Sequence, residues 1–353
     1  MALSPVQKAV VVVAQRDSRC VFDRPIPAIR PNHILVRVVC VALNPADWRH
    51  VDFYPSPGAL LGFDYSGIVE DVGEGVTRFK QGDAVCGLAH GGNPLRAEDG
   101  AFAEYILVKE HVQVSIPPNL SFQEAATIGV GMLTIGLALY HYLSLSLPTD
   151  PVRGGDSPFV FVYGGSTASG SLAIQFLRLS GYRVATACSP HNFDFVKSLG
   201  ADVVCDYKEP NVADNVRAAT GGSLQIALDT IATEATAKIC ADAVSADGGT
   251  YMALLPVNAP RDDVKSLQVL GYTVFGEEFV LNEHKFPAVP ADKEFAATWI
   301  QTVRDLLADG SLKVHPPLVC EGGLEGIPDG FSLLREGAVS GKKLVYQVSA
   351  VPK

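Results

Sequence analysis

The sequence has no excess of basic residues and no cysteine pattern typical of a metal site or a disulfide framework. Its 353 residues include 28 Lys and Arg against 38 Asp and Glu, which gives a formal net charge of −10. Without a basic footprint, binding to nucleic acid or to an anionic membrane surface is not expected. The seven cysteines are dispersed and form no Cys-x-x-Cys pair, which predicts buried thiols in a reducing compartment.

A signal peptide and a long apolar run are also missing. The first residues, Met-Ala-Leu-Ser-Pro-Val-Gln-Lys, lead directly into a strand-like run at 9–14. They lack the charged and apolar regions of a secretory signal. No uninterrupted apolar run reaches the ~18 to 20 residues that a bilayer span requires. We therefore expect a soluble, cytoplasmic protein without a membrane partner.

What the sequence does contain changes in character near residue 120. Up to residue 118, short apolar runs separated by Gly, Pro and Asn predict a mostly antiparallel, barrel-like β domain. From residue 121, strands and helices alternate, which predicts an α/β fold with a parallel sheet wound on both faces. The changes in pattern divide the chain into three predicted segments, 1–125, 126–275 and 276–353.

Two segments near the second boundary have weaker patterns. Residues 266–275 resemble a pair of strands, and residues 278–292 contain prolines in an irregular pattern that predicts a loop or an insertion. Such an insertion, with Pro287 and Pro290, would block pairing through the edge of the parallel sheet, because proline cannot donate to a ladder. We therefore expect a monomer.

A strand, a tight turn and a helix are predicted around residues 159–170, which read Phe-Val-Phe-Val-Tyr-Gly-Gly-Ser-Thr-Ala-Ser-Gly. The free N–H groups at such a helix start favour a phosphate. Compared with the fingerprint G-x-G-x-x-G, Thr167 stands where the middle glycine is expected, so the match is incomplete. From these residues alone, an ordinary strand-to-helix turn is the alternative.

The acidic residue that NAD-preferring folds place ~20 residues after this turn is missing. The chain has Ala187, Cys188, Ser189, Pro190, His191 and Asn192 there. The missing acid removes the repulsion against a ribose 2′-phosphate, and Ser189, His191 and Asn192 can donate hydrogen bonds to it. The pattern favours NADPH over NADH, and the same residues would also suit a helix N-cap. Tyr207, after the third strand, is placed to close the adenine pocket.

Several further motifs together resemble the medium-chain dehydrogenase/reductase superfamily across nearly the whole chain. They are Asn44-Pro45-Ala46-Asp47, Gly62-Phe63-Asp64-Tyr65-Ser66-Gly67, Gly73-Glu74-Gly75-Val76, Gly82-Asp83-Ala84-Val85 and Gly100-Ala101-Phe102-Ala103-Glu104-Tyr105. The resemblance implies that 1–125 is the first part of a GroES-like catalytic domain, that 126–275 is an NADPH-binding Rossmann domain, and that 276–353 returns to the catalytic domain with a C-terminal strand.

Compared with the zinc alcohol dehydrogenases of this superfamily, two metal ligands are absent. Asn44 stands where those enzymes have a cysteine, and Gly62-Phe63-Asp64 stands where they have Gly-His-Glu. Asparagine and phenylalanine cannot replace a thiolate and an imidazole as zinc ligands, so we expect no catalytic metal. Without a Lewis acid, alcohol oxidation is difficult. Reduction of an activated C=C bond needs mainly a positioned hydride, hydrogen bonds to the carbonyl and a proton.

Within the zinc-free branch, the chain resembles the trans-acting enoyl reductases of fungal polyketide synthases, of the lovastatin-pathway type. The matching stretches are 162–168, 178–182, 188–194, 274–277 and 340–345. This resemblance implies reduction by NADPH of an α,β-unsaturated polyketide thioester held on the acyl carrier protein of a polyketide synthase, including a synthase that forms a hybrid with a nonribosomal peptide synthetase module. The threonine in the glycine turn belongs to this subgroup.

The resemblance also implies roles for individual residues. Thr134 would contact the nicotinamide or thioester region, or else bond back to its own helix turn. Arg49 would clamp an enolate oxygen or a cofactor phosphate, because arginine stays protonated and is a poor acid; a surface arginine is the alternative. Cofactor contacts are expected from Ala46, Asp47, Ser166, Thr167, Ala168, Ser169, Ser189, Pro190, His191, Asn192, Tyr207, Leu254, Leu255, Val339 and Ser340.

The substrate-lining residues expected from the resemblance are Ile135, Leu139, Phe275 and Gly276, and apolar residues there are equally expected as core. Two other functions remain open at this point. One is an NADPH:quinone oxidoreductase or another zinc-free alkene reductase, and the other is a non-catalytic NADPH-binding partner.

Overall fold

The chain divides into two units. The computed structural model describes residues 5–154 and 157–351. The first unit consists of Met1–Leu133 with Tyr272–Lys353, and the second unit consists of Thr134–Gly271. The predicted nucleotide-binding domain, 126–275, begins before the second unit and ends after it.

The first unit is built mainly from antiparallel strands. The strands are β1 Val6–Ala14, β2 Asp17–Pro25, β3 His33–Ala42, β4 Asp64–Val72, β5 Ala84–Leu88, β6 Tyr105–Lys109 and β7 Gln113–Ser115. A seven-stranded sheet combines most of these with two strands from the end of the chain, β16 Pro317–Cys320 and β17 Lys343–Gln347. Its order is β16-β17-β3-β4-β5-β7, with β6 paired to β3. Their side chains bury a core that includes Val36, Tyr65 and Phe102.

The second unit is a six-stranded parallel sheet with helices between its strands. Its strands are β8 Phe159–Tyr163, β9 Arg183–Cys188, β10 Val203–Asp206, β11 Ile226–Asp229, β12 Gly249–Ala253 and β13 Val264–Gln268. Their spatial order, β10-β9-β8-β11-β12-β13, is the 3-2-1-4-5-6 order of a dinucleotide-binding fold. The predicted α/β fold with an antiparallel second domain is confirmed.

Nine helices accompany these strands in the described residues. They are α1 Pro45–Asp52, α2 Phe122–Ala125, α3 Gly129–Gly136, α4 Ala168–Leu179, α5 Phe193–Ser198, α6 Val212–Ala219, α7 Glu234–Ala243, α8 Pro290–Ala308 and α9 Ile327–Arg335. A π-helical turn at Leu137–Tyr142 follows α3.

One helical stretch, Phe122–Tyr142, is long and apolar enough to cross a membrane by length and composition. Within the protein, 72% of its most apolar window is buried. A core helix of a soluble protein meets the same criteria, so this burial accounts for the apolar composition without a bilayer.

The segment between β13 and α8 differs from the sequence-based expectation. A 3₁₀ turn at Gly271–Phe275 takes the place of the expected second strand. Residues 278–292, expected as an irregular loop, contain an antiparallel hairpin of β14 Phe279–Leu281 and β15 His284–Phe286. The rings of Phe279 and Phe286 stack with centroids 4.7 Å apart, which stabilises this short pair.

Candidate active-site residues in the two units

The turn after β8 requires glycine at three positions. Gly164 has a φ of +81°, which glycine adopts without steric cost. A Cβ at Gly165 would clash with the hydroxyl of Thr186, and a Cβ at Gly170 would clash with the carbonyl of Gly164. These contacts bring the start of α4 close to the end of β8, the geometry of a phosphate-binding turn.

Thr167 replaces the middle glycine without strain because it serves as the N-cap of α4. Its φ of −73° and ψ of 163° are ordinary extended values, and its Oγ1 accepts the N–H of Gly170 at 2.9 Å. Threonine is a favoured N-cap residue, which explains its presence. The departure from the glycine fingerprint is therefore a different way of closing the same turn.

The first turn of α4 leaves backbone donors available for an anion. Among the described residues, no acceptor is present for the N–H groups of Ala168 and Ser169. Both residues, together with Ser166, are partly exposed. Because helix N-termini carry a partial positive charge, the residues present fit a dinucleotide phosphate.

The end of β9 is free of acidic side chains, as the sequence shows. Cys188 is the last strand residue, and the partly exposed Ser189 precedes a 3₁₀ turn at Pro190–Asn192. On the neighbouring strand, Asp206 pairs with Cys188 in the register of β9 and β10 and accepts the N–H of Lys208 at 3.0 Å. A carboxylate is thus present on the neighbouring strand, already bound to the backbone.

The remaining predicted residues of the second unit lie at or near the same sheet edge. Tyr207 follows β10 directly and is 39% exposed. Leu254 and Leu255 follow β12. Because the carboxyl ends of parallel strands share one edge of a sheet, these residues lie along the edge that holds the glycine turn. The structure therefore brings the predicted cofactor residues of this unit together.

Helix α1 carries the predicted residues Ala46, Asp47 and Arg49 in the first unit. Asn44 is its N-cap and Pro45 occupies the first helical position, a common way to begin a helix. The fully buried Asp47 accepts the N–H of Asn44 at 2.6 Å through Oδ2. Burial raises the pKa of Asp47 well above its usual value. The Asn44 N–H opposes this shift, and the carboxylate of Asp64 adds to it.

A buried cation, Lys343, holds the start of α1. Its side chain is 5% exposed, and its ammonium donates to Asn44 Oδ1 at 2.9 Å, to Asp64 Oδ2 and to the carbonyl of Thr127 at 3.2 Å. Asp64 uses its other oxygen to accept the N–H of Val130 at 2.6 Å. The four residues Lys343, Asn44, Asp64 and Thr127, which we call the Lys343 cluster, join β17, β4, α1 and the link between α2 and α3.

Arg49 has no ion pair among the residues that the structure describes. Its guanidinium lies 5.5 Å from the ring centroid of Trp48, and its Nε is buried without an acceptor in the described chain. A cation without an internal partner is suited to an anionic ligand.

Aromatic side chains and two neutral histidines, one of them on α1, pack together in the first unit. His50 Nε2 lies 2.9 Å from the hydroxyl of Tyr272, and the ring of His50 lies 5.4 Å from that of Phe63. His90 stacks on Phe275 at 5.0 Å. Burial lowers the pKa of His50 to about 4 and that of His90 to about 3, so both imidazoles are neutral at physiological pH.

The other predicted site residues are placed as follows. Thr134 is partly buried, whereas Ile135 and Leu139 are completely buried. Gly276 has a φ of +64°, and a Cβ there would contact Lys293. Val339 and the exposed Ser340 lie in the loop between α9 and β17, four and three residues before Lys343, respectively.

Sequence reasoning did not identify Lys343, Asp64, His50 or Tyr272 as site residues. Lys343 was visible only as part of the subgroup motif at 340–345. No local pattern marks a lysine as buried, because lysines are usually exposed.

Two family models match the chain, one within the first unit and the other mostly within the second. Residues 30–118 match the alcohol dehydrogenase GroES-like domain, and residues 168–280 match the zinc-binding dehydrogenase family. The chain is 51% identical over 285 residues to the trans-enoyl reductase TOXD of Cochliobolus carbonum, covering 80% of this chain and 95% of that protein. The chain belongs to the fungal trans-enoyl reductase family of the medium-chain dehydrogenase/reductase superfamily.

Further similarities agree with this assignment. The trans-enoyl reductase resD of Aspergillus sclerotiorum is 42% identical over 97% of this chain and 100% of its own length. Among solved structures, a zinc-dependent alcohol dehydrogenase protein from Rhizobium etli, described as putative, superposes with a TM-score of 0.79 at 24% identity, covering 99% of this chain and 100% of that one. At that identity the structural likeness concerns the fold alone.

In this trans-enoyl reductase, no three His, Cys, Asp or Glu residues form a cluster that could hold a metal, within the part of the chain that the structure describes. Phe63 has no atom that could coordinate a metal, and Asn44 Oδ1 accepts a hydrogen bond from the ammonium of Lys343. The residues at these two positions therefore do not fit a catalytic zinc ion.

Replacing Lys343 tests the energetic role of the Lys343 cluster. Lys343→Met leaves the Asp64 carboxylate buried without its cation, which we expect to destabilise the first unit by about 3–5 kcal/mol. The additional change Asp64→Asn removes that charge and keeps an oxygen for Val130, so the double variant should recover part of the loss. Urea denaturation followed by circular dichroism measures both.

The exposed neighbour Lys342 provides the matched control. Lys342→Met should change stability by no more than about 0.5 kcal/mol. Equal denaturation midpoints for the Lys342 and Lys343 variants would contradict the role assigned to the cluster.

Proposed function

We propose that the protein is a trans-acting enoyl reductase that reduces the α,β-double bond of a polyketide thioester on the acyl carrier protein of a polyketide synthase, with NADPH as hydride donor. The observation that carries this proposal is the 51% identity to a trans-enoyl reductase over 95% of that protein's length. A synthase that includes a nonribosomal peptide synthetase module is a possible form of the same partner.

NADPH would be held in the second unit by the glycine turn and the sheet edge described above. The N–H groups of Ala168 and Ser169 and the hydroxyl of Ser166 suit its pyrophosphate. Ser189, without an acid beside it on β9, suits a 2′-phosphate. The cofactor, when bound, supplies the hydride.

Further residues are proposed to contact the substrate or the cofactor. Arg49, which has no ion pair in the described chain, is suited to clamp an enolate oxygen or a cofactor phosphate. Thr134, from the second unit, is proposed to contact the nicotinamide or thioester region. Ile135, Leu139, Phe275 and Gly276 are the proposed substrate-lining residues.

Reduction of a C=C bond without a metal follows from the residues at the ligand positions. Asn44 and Phe63 offer no zinc ligand, so polarisation of the thioester carbonyl has to come from hydrogen bonds. Conjugate reduction is compatible with this, because the negative charge develops on one carbonyl oxygen that a fixed donor can stabilise.

The proposed place of action is the cytoplasm. All seven cysteines lie in the described chain as free thiols, and five of them are buried. Free thiols are typical of a reducing compartment. Fluorescence imaging of the tagged protein in its fungal host would test this, and secretion into the medium would contradict it.

The central experiment offers the purified protein an enoyl thioester on a carrier protein, the same acyl group on free pantetheine, and a simple quinone. We expect NADPH oxidation with the thioesters and, from NADPH carrying deuterium at the transferred position, deuterium on the β-carbon of the product. Metal analysis of the active protein should find no stoichiometric zinc.

The same experiment separates the competing functions. Turnover of the quinone alone would indicate a quinone oxidoreductase. Binding of NADPH without reduction of any thioester would indicate a non-catalytic cofactor-binding protein. Stoichiometric zinc would overturn the metal-free assignment.

Ser189→Asp tests the preference for NADPH. The new carboxylate at the end of β9 should repel a 2′-phosphate and accept a hydrogen bond from a 2′-hydroxyl, so the ratio of kcat/KM for NADPH to that for NADH should fall about tenfold or more, a change of about 1.4 kcal/mol. Steady-state kinetics with both cofactors measures it. The control is Ser198→Asp on the exposed face of α5, and an equal effect of both changes would contradict the assignment.

We also propose that the protein is a monomer. The edge strand β13 of the parallel sheet has five residues, with Lys265 exposed on it. Short edges with exposed lysine disfavour pairing with another chain. Light scattering after size exclusion should give the mass of one chain, 37.5 kDa, and a stable dimer would refute the proposal.

A further inference from the structure

The Lys343 ammonium determines which way the Asn44 amide is oriented. An ammonium group has three N–H donors and no acceptor. Lys343 directs its donors to Asn44 Oδ1, Asp64 Oδ2 and the Thr127 carbonyl, so all three have partners. Only the oxygen of the amide can accept from an ammonium. The orientation of Asn44 is therefore set by chemistry, and its Nδ2 is directed away from Lys343.

The Asn44 amide nitrogen is a buried donor that awaits an acceptor. Asn44 is 5% exposed, and its Nδ2 has no hydrogen-bond partner among the described residues. Leaving such a group unpaired costs about 1–3 kcal/mol. The backbone of Asn44 caps α1 and its Oδ1 accepts from Lys343, so only Nδ2 is left without a partner in the described chain, and a ligand oxygen would satisfy that nitrogen.

The cation on the other side of the amide strengthens this donor. The Lys343 ammonium draws electron density toward Asn44 Oδ1, which makes the Nδ2 hydrogens more positive, because hydrogen bonds in a chain polarise one another. Desolvation increases the effect, since Lys343 and Asn44 are both buried. The arrangement conveys part of a positive charge to Nδ2 without exposing the lysine.

The position of Asn44 indicates what oxygen it would meet. Asn44 begins α1, the helix that carries the proposed cofactor residues Ala46 and Asp47 and the proposed anion clamp Arg49. It also stands at the position where zinc enzymes of the superfamily have a metal-binding cysteine. A donor here would take over the task of a Lewis acid at a carbonyl oxygen.

We propose that Asn44 Nδ2, polarised by Lys343, donates a hydrogen bond to the carbonyl oxygen of the substrate thioester and stabilises the enolate formed during reduction. The inference rests on the enoyl reductase function proposed above, and it adds a catalytic residue and its positioning residue. Preorganised asparagine donors of this kind are known to stabilise oxyanions.

The electron balance of the step is as follows. Hydride adds to the β-carbon, the C=C electron pair moves between the α-carbon and the carbonyl carbon, and the carbonyl electron pair moves onto oxygen. Asn44 Nδ2 meets the charge at that oxygen. The carbonyl then re-forms as the α-carbon takes a proton that comes from water. The substrate gains one hydride and one proton in total.

The decisive variant is Asn44→Asp, which keeps an oxygen for Lys343 and removes the amide donor. A carboxylate at this position would in addition repel an enolate. We expect kcat with a pantetheine enoyl thioester to fall about 10²–10³-fold. The affinity for NADPH, measured by fluorescence titration, should stay unchanged, and so should the circular dichroism spectrum.

Two further variants complete the test. Asn44→Ala removes the donor and the partner of Lys343 together, and its kcat should also fall, though less than that of Asn44→Asp because no charge opposes the enolate. Lys342→Met, an exposed lysine beside Lys343, should leave kcat unchanged.

The results distinguish failure of this inference from failure of the proposed function. If wild-type protein reduces the thioester and a folded Asn44→Asp variant keeps the wild-type kcat, the role of Asn44 is overturned and the function stands. A loss of NADPH affinity as large as the loss of kcat would also overturn it, because the donor would then serve the cofactor. If wild-type protein reduces no enoyl thioester, both proposals fall.

Discussion

The three hydrogen bonds of the Lys343 ammonium fix the geometry at the start of α1. These bonds join segments that are far apart in the chain, from Asn44 and Asp64 to Thr127 and the final strand β17. Buried ion pairs contribute little net stability, because desolvation offsets the attraction. What the Lys343 cluster provides is a defined position for the start of α1 and a defined orientation for the Asn44 amide.

The same cluster explains how the protein differs from metal-dependent relatives at the level of single side chains. A zinc site needs anionic or imidazole ligands that converge on one point. Here Asn44 already binds an internal cation, and the side chain at the histidine position is Phe63, packed against His50. The positive charge needed for chemistry at a carbonyl is present in the protein itself, in a lysine bound to an amide.

In the second unit, backbone geometry rather than a buried charge shapes the candidate site. Its parallel sheet ends in a turn that is closed by three glycines and a threonine N-cap, and two N–H groups in the first turn of α4 have no acceptor in the described chain. Thr167 uses its hydroxyl to bind the Gly170 N–H, and it does so with an ordinary negative φ. A family fingerprint can therefore lose a glycine when the position needs no positive φ.

Local patterns sufficed for much of the fold and part of the site. The change from short strands to alternating strands and helices predicted the two kinds of sheet, because periodicity and turn residues act over a few positions. The strand, turn and helix around 159–170 and the missing acid after β9 were likewise readable. The pattern failed at 271–286, where a 3₁₀ turn and a hairpin depend on contacts such as the Phe279–Phe286 stack.

Taken alone, the sequence determined the fold class, the family and the residue types at the metal-ligand positions, because each of these depends on composition, spacing or motif. Only the tertiary structure decided that Lys343 is buried, that it meets Asn44 and Asp64, and that the Asn44 amide nitrogen is left without an acceptor in the described chain. These facts depend on contacts between residues separated by 279 and 299 positions. Such contacts produce no periodic pattern in the sequence. Whether one lysine is buried, and which carboxylate it pairs with, depends on the packing around it.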